Sequence, residues 1–290
     1  MNDIIKEYPL LKSGKVRDVY DLGEYLLFVA SDRISAFDCV LPTLIPNKGM
    51  VLTELSIFWF EMFKDLVPNH FVTNKIFEMY PNLSKYSDEL KNRSMIVKKA
   101  NVLPVECIVR GYIAGFGWEE YKKFGTLSGE KLPDNLQKSQ ELPTPMFTPS
   151  TKAESGHDEN ITYAETIKIV GENTAKQLKE LSLKLYTSAK NYAKSKGIII
   201  CDTKFEFGIY DGKIILIDEI LTPDSSRFWA VENYKIGTSP TSYDKQYVRD
   251  YLNTLNWDKE PPAPELPEDI VLKTREKYLQ ALKQLTGRSY

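Results

Sequence analysis

The sequence predicts an α+β protein of two lobes, and three observations carry that expectation. Short β-prone runs gather near the N-terminus, a loop-like and proline-marked stretch interrupts the middle, and a charged hairpin flanked by helical segments occupies the second half. Residues 1–103 form the expected N-terminal lobe and residues 104–290 the C-terminal one.

The elements follow in chain order. KVRDVY at 15–20 and YLLFVA at 25–30 are short runs of β-prone residues, and Asp21-Leu-Gly23 between them suits a hairpin turn. Residues 49–66 place apolar side chains at helical spacing, and Pro68 stops the run. SMIVKKA at 94–100 and VECIVRGY at 105–112 read as two strands, with residues 101–104 as a connector between lobes. Residues 125–159 carry Pro133, Pro143, Pro145 and Pro149 among many polar residues and read as a long loop. Residues 162–196 are helical, most clearly in their second part, and Gly197 ends them. Three β-prone runs follow at 198–203, 205–210 and 213–220, with Asp211-Gly212 as a hairpin signal. The tail has helical stretches near 245–255 and 267–285, separated by PPAP.

Composition sets the outer bounds. A chain of 290 residues, 42% hydrophobic and 27% charged, is of ordinary globular make-up. Lys and Arg number 38 against 40 Asp and Glu, a net charge of −2, which argues against a dedicated nucleic-acid binder while leaving room for a local basic pocket. Cys39, Cys107 and Cys201 each lie in apolar runs without a CxxC pair, so they read as buried thiols in a reducing compartment. With only His70 and His157, a Cys/His zinc site is not expected. No apolar run reaches the ~20 residues of a membrane span, and the expected location is cytoplasmic.

The chemistry concentrates in residues 202–227. On a strand, Asp202, Lys204 and Glu206 share one face, because side chains alternate with period two. After the Asp-Gly turn the chain returns past them, which brings Asp218 toward Glu206 or Asp202. Carboxylates beside a lysine suit Mg²⁺ and a polyphosphate, since Mg²⁺ takes oxygen ligands and shares them with phosphates. A solvated hairpin face produces the same spacing. Asp224, Ser225, Ser226 and Arg227, after a proline, resemble a helix N-terminus that binds anions or simply caps a helix. Gly14-Lys15-Val16-Arg17 can lay backbone N–H groups over phosphates or form a plain turn. Asp32 and Ser35 belong to a polar cluster at a strand end. Glu106 and Arg110 can pair with each other or with a ligand, Lys98 can be an edge-strand charge, and His157 sits in a polar loop.

Taken together and in order, GKVRDVY, SDRISAFD, NKGMVLTELSIFWF, PVECIVRGYI, STKAESGHDENI, DTKFEFGIY and DEILTPDSSRFW resemble the phosphoribosylaminoimidazole-succinocarboxamide synthase (SAICAR synthetase) family. These segments run from residue 14 to residue 229. The resemblance implies a two-lobed fold related to kinase and ATP-grasp folds, with a nucleotide-binding N-terminal lobe and a substrate- and metal-binding C-terminal lobe. It implies ATP-driven joining of L-aspartate to carboxyaminoimidazole ribonucleotide through an acyl phosphate, with Mg²⁺. Carried over by position, Glu206 and Asp218 are the expected metal ligands. Gly14, Lys15, Val16 and Arg17 cover the ATP phosphates, Lys152 and Lys204 reach them, Lys98 and Val102 border adenine, and Glu106 holds ribose hydroxyls. Asp32, Ser35, Arg110, Asp224, Ser225, Ser226 and Arg227 are expected around the ribonucleotide, with His157 and Asp158 on the substrate or aspartate side. Asp202 and Lys204 are the expected catalytic pair, Asp202 assisting deprotonation of the amine. The chain departs from the family at Gly115-Phe116-Gly117, where many members carry Gly-Ser. The expected partners are small molecules acting on a monomer. A small-molecule kinase on a related fold is the alternative, and the chain lacks the HRD and DFG motifs of protein kinases.

Overall fold

A computed structural model describes residues 5–152 and 159–290. The first lobe's sheet consists of β1 (Leu10–Ser13), β2 (Arg17–Asp21), β3 (Tyr25–Ala30), β4 (Phe71–Thr73) and β5 (Ser94–Lys98), all antiparallel, in the order β1-β2-β3-β5-β4. The expected β2–β3 hairpin forms: Gly23 adopts a left-handed φ of 91° and donates its N–H to Asp21 Oδ1 at 2.7 Å.

Helix α1 (Lys48–Phe63) is apolar nearly all round, which requires burial on every side. It is packed accordingly. Leu55, Trp59, Phe60 and Phe63 lie in a core shared with Val97 of β5 and with Phe205 and Phe207 farther along the chain. The Trp59 indole donates to the Leu221 carbonyl at 3.1 Å, tying α1 to the chain just ahead of Arg227.

The second sheet comprises β6 (Asn101–Tyr112), β7 (Glu141–Phe147), β8 (Ser150–Thr151), β9 (Ile198–Tyr210), β10 (Lys213–Ile217) and β11 (Ser226–Ala230). Strand β9 is its axis. Strand β6 runs along one side of it, while β11 and then β10 share the other. Helices α2 (Gly115–Phe124), α3 (Tyr163–Val170), α4 (Glu172–Ser195), α5 (Gln246–Leu252) and α6 (Glu268–Thr286) complete the lobe. The α3 start is a capping box: Thr162 and Glu165 satisfy each other's backbone N–H groups. Residues 68–70 stitch the two sheets together. Leu216 of β10 accepts from His70 N at 3.0 Å and donates to Pro68 O at 2.8 Å, while His70 O accepts from Lys98 N at 2.8 Å.

The structure corrects four expectations. Residues 101–104 are no connector: Asn101 and Val102 pair with Ile209 and Gly208, so they begin β6. Residues 125–159 are not one loop, since β7 and β8 lie within them. Pro143 and Pro145 are tolerated because β7 is an edge strand whose register breaks between Glu141 and Met146. The runs at 198–203 and 205–210 are a single strand. Ser225–Arg227 do not open a helix: Ser226 starts strand β11, where cross-strand pairing with Thr203 wins over capping.

Candidate active site

Strand β9 places Asp202, Lys204 and Glu206 on one face, as its alternation dictates, and buries Phe205 and Phe207 on the other. Its two ends differ in charge.

At the Glu206 end, Glu106 is the direct cross-strand neighbour on β6. The Lys204 ammonium bridges them, pairing with Glu106 and lying 3.3 Å from Glu206 Oε1, while Lys152 pairs with Glu206 Oε2. Ser150 donates to Glu106 Oε2 at 3.3 Å. Burial by itself would lower the Lys204 pKa, but Glu206 and Glu106 outweigh it and hold the lysine above its ordinary value. Asp218 lies one residue past β10 with φ 64°, a left-handed conformation uncommon outside glycine but the more accessible to Asp and Asn. Burial would raise its pKa; Arg17 and Lys204 prevail and keep the carboxylate below its usual range. Burial does push up neighbouring Glu219, whose carboxylate lies 3.5 Å from Arg17 Nη2 and accepts from Thr222 at 2.8 Å. The buried His70 Nε2 lies 3.2 Å from the Asp218 carbonyl, and burial drops the imidazole pKa to about 3, so the neutral ring donates here.

At the Asp202 end, three neighbouring strands present a row. Asp202 faces Arg110 on β6 and Arg227 on β11, and both guanidiniums donate to its Oδ2, Arg110 at 2.5 Å. Thr148 Oγ1 accepts from Arg110 Nε at 3.1 Å. The start of α2 packs closely against both arginines, and the left-handed φ of Gly115 favours glycine there. A Cβ on Gly115, at φ 54°, would fall 2.3 Å from Arg227, and one on Gly117 would fall 2.9 Å from Leu127 and 3.4 Å from Arg110. Beyond Arg227 lies a second carboxylate shared by two cations: Asp224 Oδ2 holds Lys48 at 2.7 Å and Lys245 at 3.2 Å. A pocket of about 210 Å³ opens between the two triads, lined also by Ser225, Ser226 and Arg249. Each triad carries two positive charges on one carboxylate, so an anion entering the pocket meets uncompensated cations.

The remaining expected residues scatter. Gly14–Val16 form the β1–β2 turn: the Gly14 and Lys15 carbonyls accept from Arg33 at 3.1 and 3.4 Å, and the Val16 carbonyl from Ser31 N at 2.8 Å. Lys15 pairs with Asp38. Arg17, expected with this turn over the phosphates, is buried, reaches across to Asp218 and stacks on Phe28. Asp32 accepts from Gly49 N at 2.9 Å and from Arg93 at 3.1 Å, so it caps the start of α1, and Ser35 is buried in a short bridge with Val40. The Asp224 carboxylate, 1% exposed, faces inward onto lysines rather than into the pocket. Lys98 sits over the Tyr210 ring, and Val102, opposite Gly208, is exposed. His157 and Asp158 lie outside the described residues. The sequence reading passed over Lys48, His70, Lys245 and Arg249. A lysine heading an otherwise apolar helix, and Asp244-Lys245 after Ser-Pro-Thr-Ser, were the available signals.

A strand carrying carboxylates and lysines at one end and paired arginines at the other suits an enzyme that handles phosphorylated small molecules. The comparisons name the kind. The SAICAR synthetase family model matches residues 10–264. A phosphoribosylaminoimidazole-succinocarboxamide synthase of Thermodesulfovibrio yellowstonii is 59% identical over 283 residues, covering 98% of this chain and 97% of its own. SAICAR synthase from Saccharomyces cerevisiae, solved in complex with SAICAR, superposes with a TM-score of 0.91 at 48% identity, covering 100% of this chain and 97% of that one. A SAICAR synthetase solved in complex with ADP gives 0.71 at 25% identity, with 96% of this chain and 98% of that one covered. The chain belongs to the SAICAR synthetase family.

Proposed function

We propose that the protein joins L-aspartate to the carboxylate of carboxyaminoimidazole ribonucleotide, using ATP, to give SAICAR, ADP and phosphate in purine biosynthesis. The observation that carries the assignment of parts is the polarity of β9. Asp202 and Glu206 are four residues apart, which spaces the two clusters by about 13 Å along the strand. That lets one face hold a nucleotide's phosphates at one end and a sugar phosphate at the other.

A carboxylate is a poor acylating agent, so its oxygen first attacks the γ-phosphorus of ATP and ADP departs. The aspartate amine then attacks the resulting acyl phosphate, forming the amide and releasing phosphate. The protein supplies position and charge. Lys204 and Lys152 hold phosphoryl oxygens, and Glu206 and Glu106 favour the charged form of Lys204. Glu206 and Asp218 would hold Mg²⁺, which neutralises phosphate charge when bound. Among the described residues no three His, Cys, Asp or Glu side chains gather as a cage, and Mg²⁺ suits two carboxylates completed by phosphates. Glu106 takes ribose hydroxyls, Lys98 and Val102 border the base, and the turn of Gly14, Lys15 and Val16 covers the phosphates. Arg110, Arg227, Ser225 and Ser226, with Lys245, take the ribonucleotide's phosphate. We revise several roles: Arg17 pairs with Asp218 instead of covering the phosphates, and Asp32 braces the start of α1. Asp202 orients the two arginines that occupy it rather than assisting the amine, and Asp224 positions Lys245. The kinase alternative is not favoured, because relatives matching nearly the whole chain are named phosphoribosylaminoimidazole-succinocarboxamide synthases, not kinases. The division into two lobes is supported by the first sheet ending at Lys98 and the second beginning at Asn101, which moves the boundary from residue 103 back to residues 99–100. We take the enzyme to act as a monomer in the cytoplasm.

The test is direct. Purified protein with ATP, Mg²⁺, L-aspartate and the carboxylated ribonucleotide should form the amide and ADP in equal amounts. ADP with a phosphorylated hydroxyl product and no need for aspartate would establish a kinase instead.

A further inference from the structure

We propose that Tyr278, on a helix beyond the family-matched residues 10–264, positions Lys245 in the anion pocket by occupying one oxygen of the carboxylate that Lys245 shares with Lys48. The inference rests on the assignment of that pocket to the ribonucleotide's phosphate.

Helix α6 starts at Glu268, outside the matched region, yet its inward face ends at the pocket wall. The Tyr278 hydroxyl is buried and donates to Asp224 Oδ1 at 2.7 Å. Both ammonium groups then share Oδ2, Lys48 at 2.7 Å and Lys245 at 3.2 Å. Lys48 is fully buried and also lies over the Tyr278 ring, so it has nowhere else to turn. Lys245 makes the longer contact and borders the pocket. A carboxylate torsion is soft, and a free Oδ1 would draw a second ammonium onto itself. By holding Oδ1, Tyr278 keeps Lys245 on the crowded oxygen, only partly neutralised and facing the ligand. The adjoining α6 residues brace the same segment: Lys277 donates to the Ser242 carbonyl at 2.8 Å and Gln280 to the Tyr243 hydroxyl at 3.3 Å.

Tyr278→Phe removes one hydroxyl and leaves the ring packed. Steady-state kinetics should show the KM for the ribonucleotide raised roughly three- to tenfold, the reach of one charge-assisted hydrogen bond acting through a neighbour. The KM values for ATP and aspartate, and kcat, should stay within about twofold, near the resolution of such comparisons. Lys245→Met should raise the ribonucleotide KM further, and adding Tyr278→Phe to it should change nothing more, because the relay has lost its end. Equal KM increases for all three substrates, or additive effects in the double variant, mean that Tyr278 merely supports the core and overturn the proposal. If Lys245→Met raises the ribonucleotide KM while Tyr278→Phe does not, the relay alone fails. If Lys245→Met leaves it unchanged, the pocket assignment fails and the relay with it.

Discussion

The two ends of β9 solve opposite electrostatic problems with the same device. At the Glu206 end, Glu106, Glu206, Asp218 and Glu219 face Lys204, Lys152 and Arg17, so negative charge is in excess. At the Asp202 end, Asp202 and Asp224 are each shared by two cations, so positive charge is in excess. A buried ion of either sign is costly unless compensated, and each cluster is compensated only in part. The surplus points to what each end awaits: a cation with its polyphosphate at one, an anion at the other. Cross-strand neighbours build both, since a residue on β9 meets one partner on each flanking strand.

The strongest way to break this contrast is to neutralise one end and ask whether the other notices. Glu206→Gln should lower kcat/KM for Mg·ATP on the order of a hundredfold, as loss of one transition-state charge contact does. Its effect on ribonucleotide binding, read by direct titration without ATP, should be slight. Arg227→Ala should do the reverse, raising the ribonucleotide KM roughly ten- to a hundredfold, the worth of a charge-assisted contact. ATP affinity should hardly move. A variant at either end that weakens both ligands equally would show that the ends are not separate subsites.

How much of this was legible beforehand follows from which forces act locally. The common face of Asp202, Lys204 and Glu206 could be read directly, because strand alternation is a property of the residues themselves. The β2–β3 hairpin and the Asp211-Gly212 turn were equally plain, since turn chemistry is local. The ordered segments resembling one family then supplied the family. What failed was long-range. Ser225–Arg227 have the composition of a helix cap, yet pairing with β9 makes them a strand edge. Arg17 was expected among the residues covering the ATP phosphates, and its partner lies about two hundred residues away, at Asp218. Lys48 heads an apolar helix, but nothing local names Asp224 as its partner.

A smaller effect sharpens the negative end. His70 belongs to the segment that stitches the sheets together, and its ring lies edge-on between Phe28 and Phe60, with its N–H on the carbonyl of the left-handed Asp218. His70→Phe removes that donor and should raise the Mg²⁺ concentration needed for half-maximal rate about tenfold, as loss of a group that orients a ligand does. His70→Gln, whose amide can donate from a similar reach, should restore most of it. Equal Mg²⁺ requirements in both variants would leave Asp218 held by Arg17 alone.

The smallest effect tests the positive end through stability. Burial would raise the Asp224 pKa, but Lys245 and Lys48 outweigh it and hold the carboxylate below its ordinary value of 3.8. With the folded pKa below the unfolded one, the unfolded chain binds the extra proton as pH falls past 3.8, so this stabilisation is present above that pH and lost on acidification. Lys48→Met leaves Asp224 with one cation instead of two and also removes a lysine whose own pKa burial lowers. The folded pKa of Asp224 must then rise toward 3.8, and the loss of stability below that pH becomes shallower, by at most about 1.4 kcal/mol per pH unit for one carboxylate. Thermal midpoints of the two proteins, measured across the acid range, should therefore converge as pH falls. Parallel curves would mean that Lys245 alone sets the Asp224 charge. The two-cation triad would then be no source of surplus positive charge at this end of the strand.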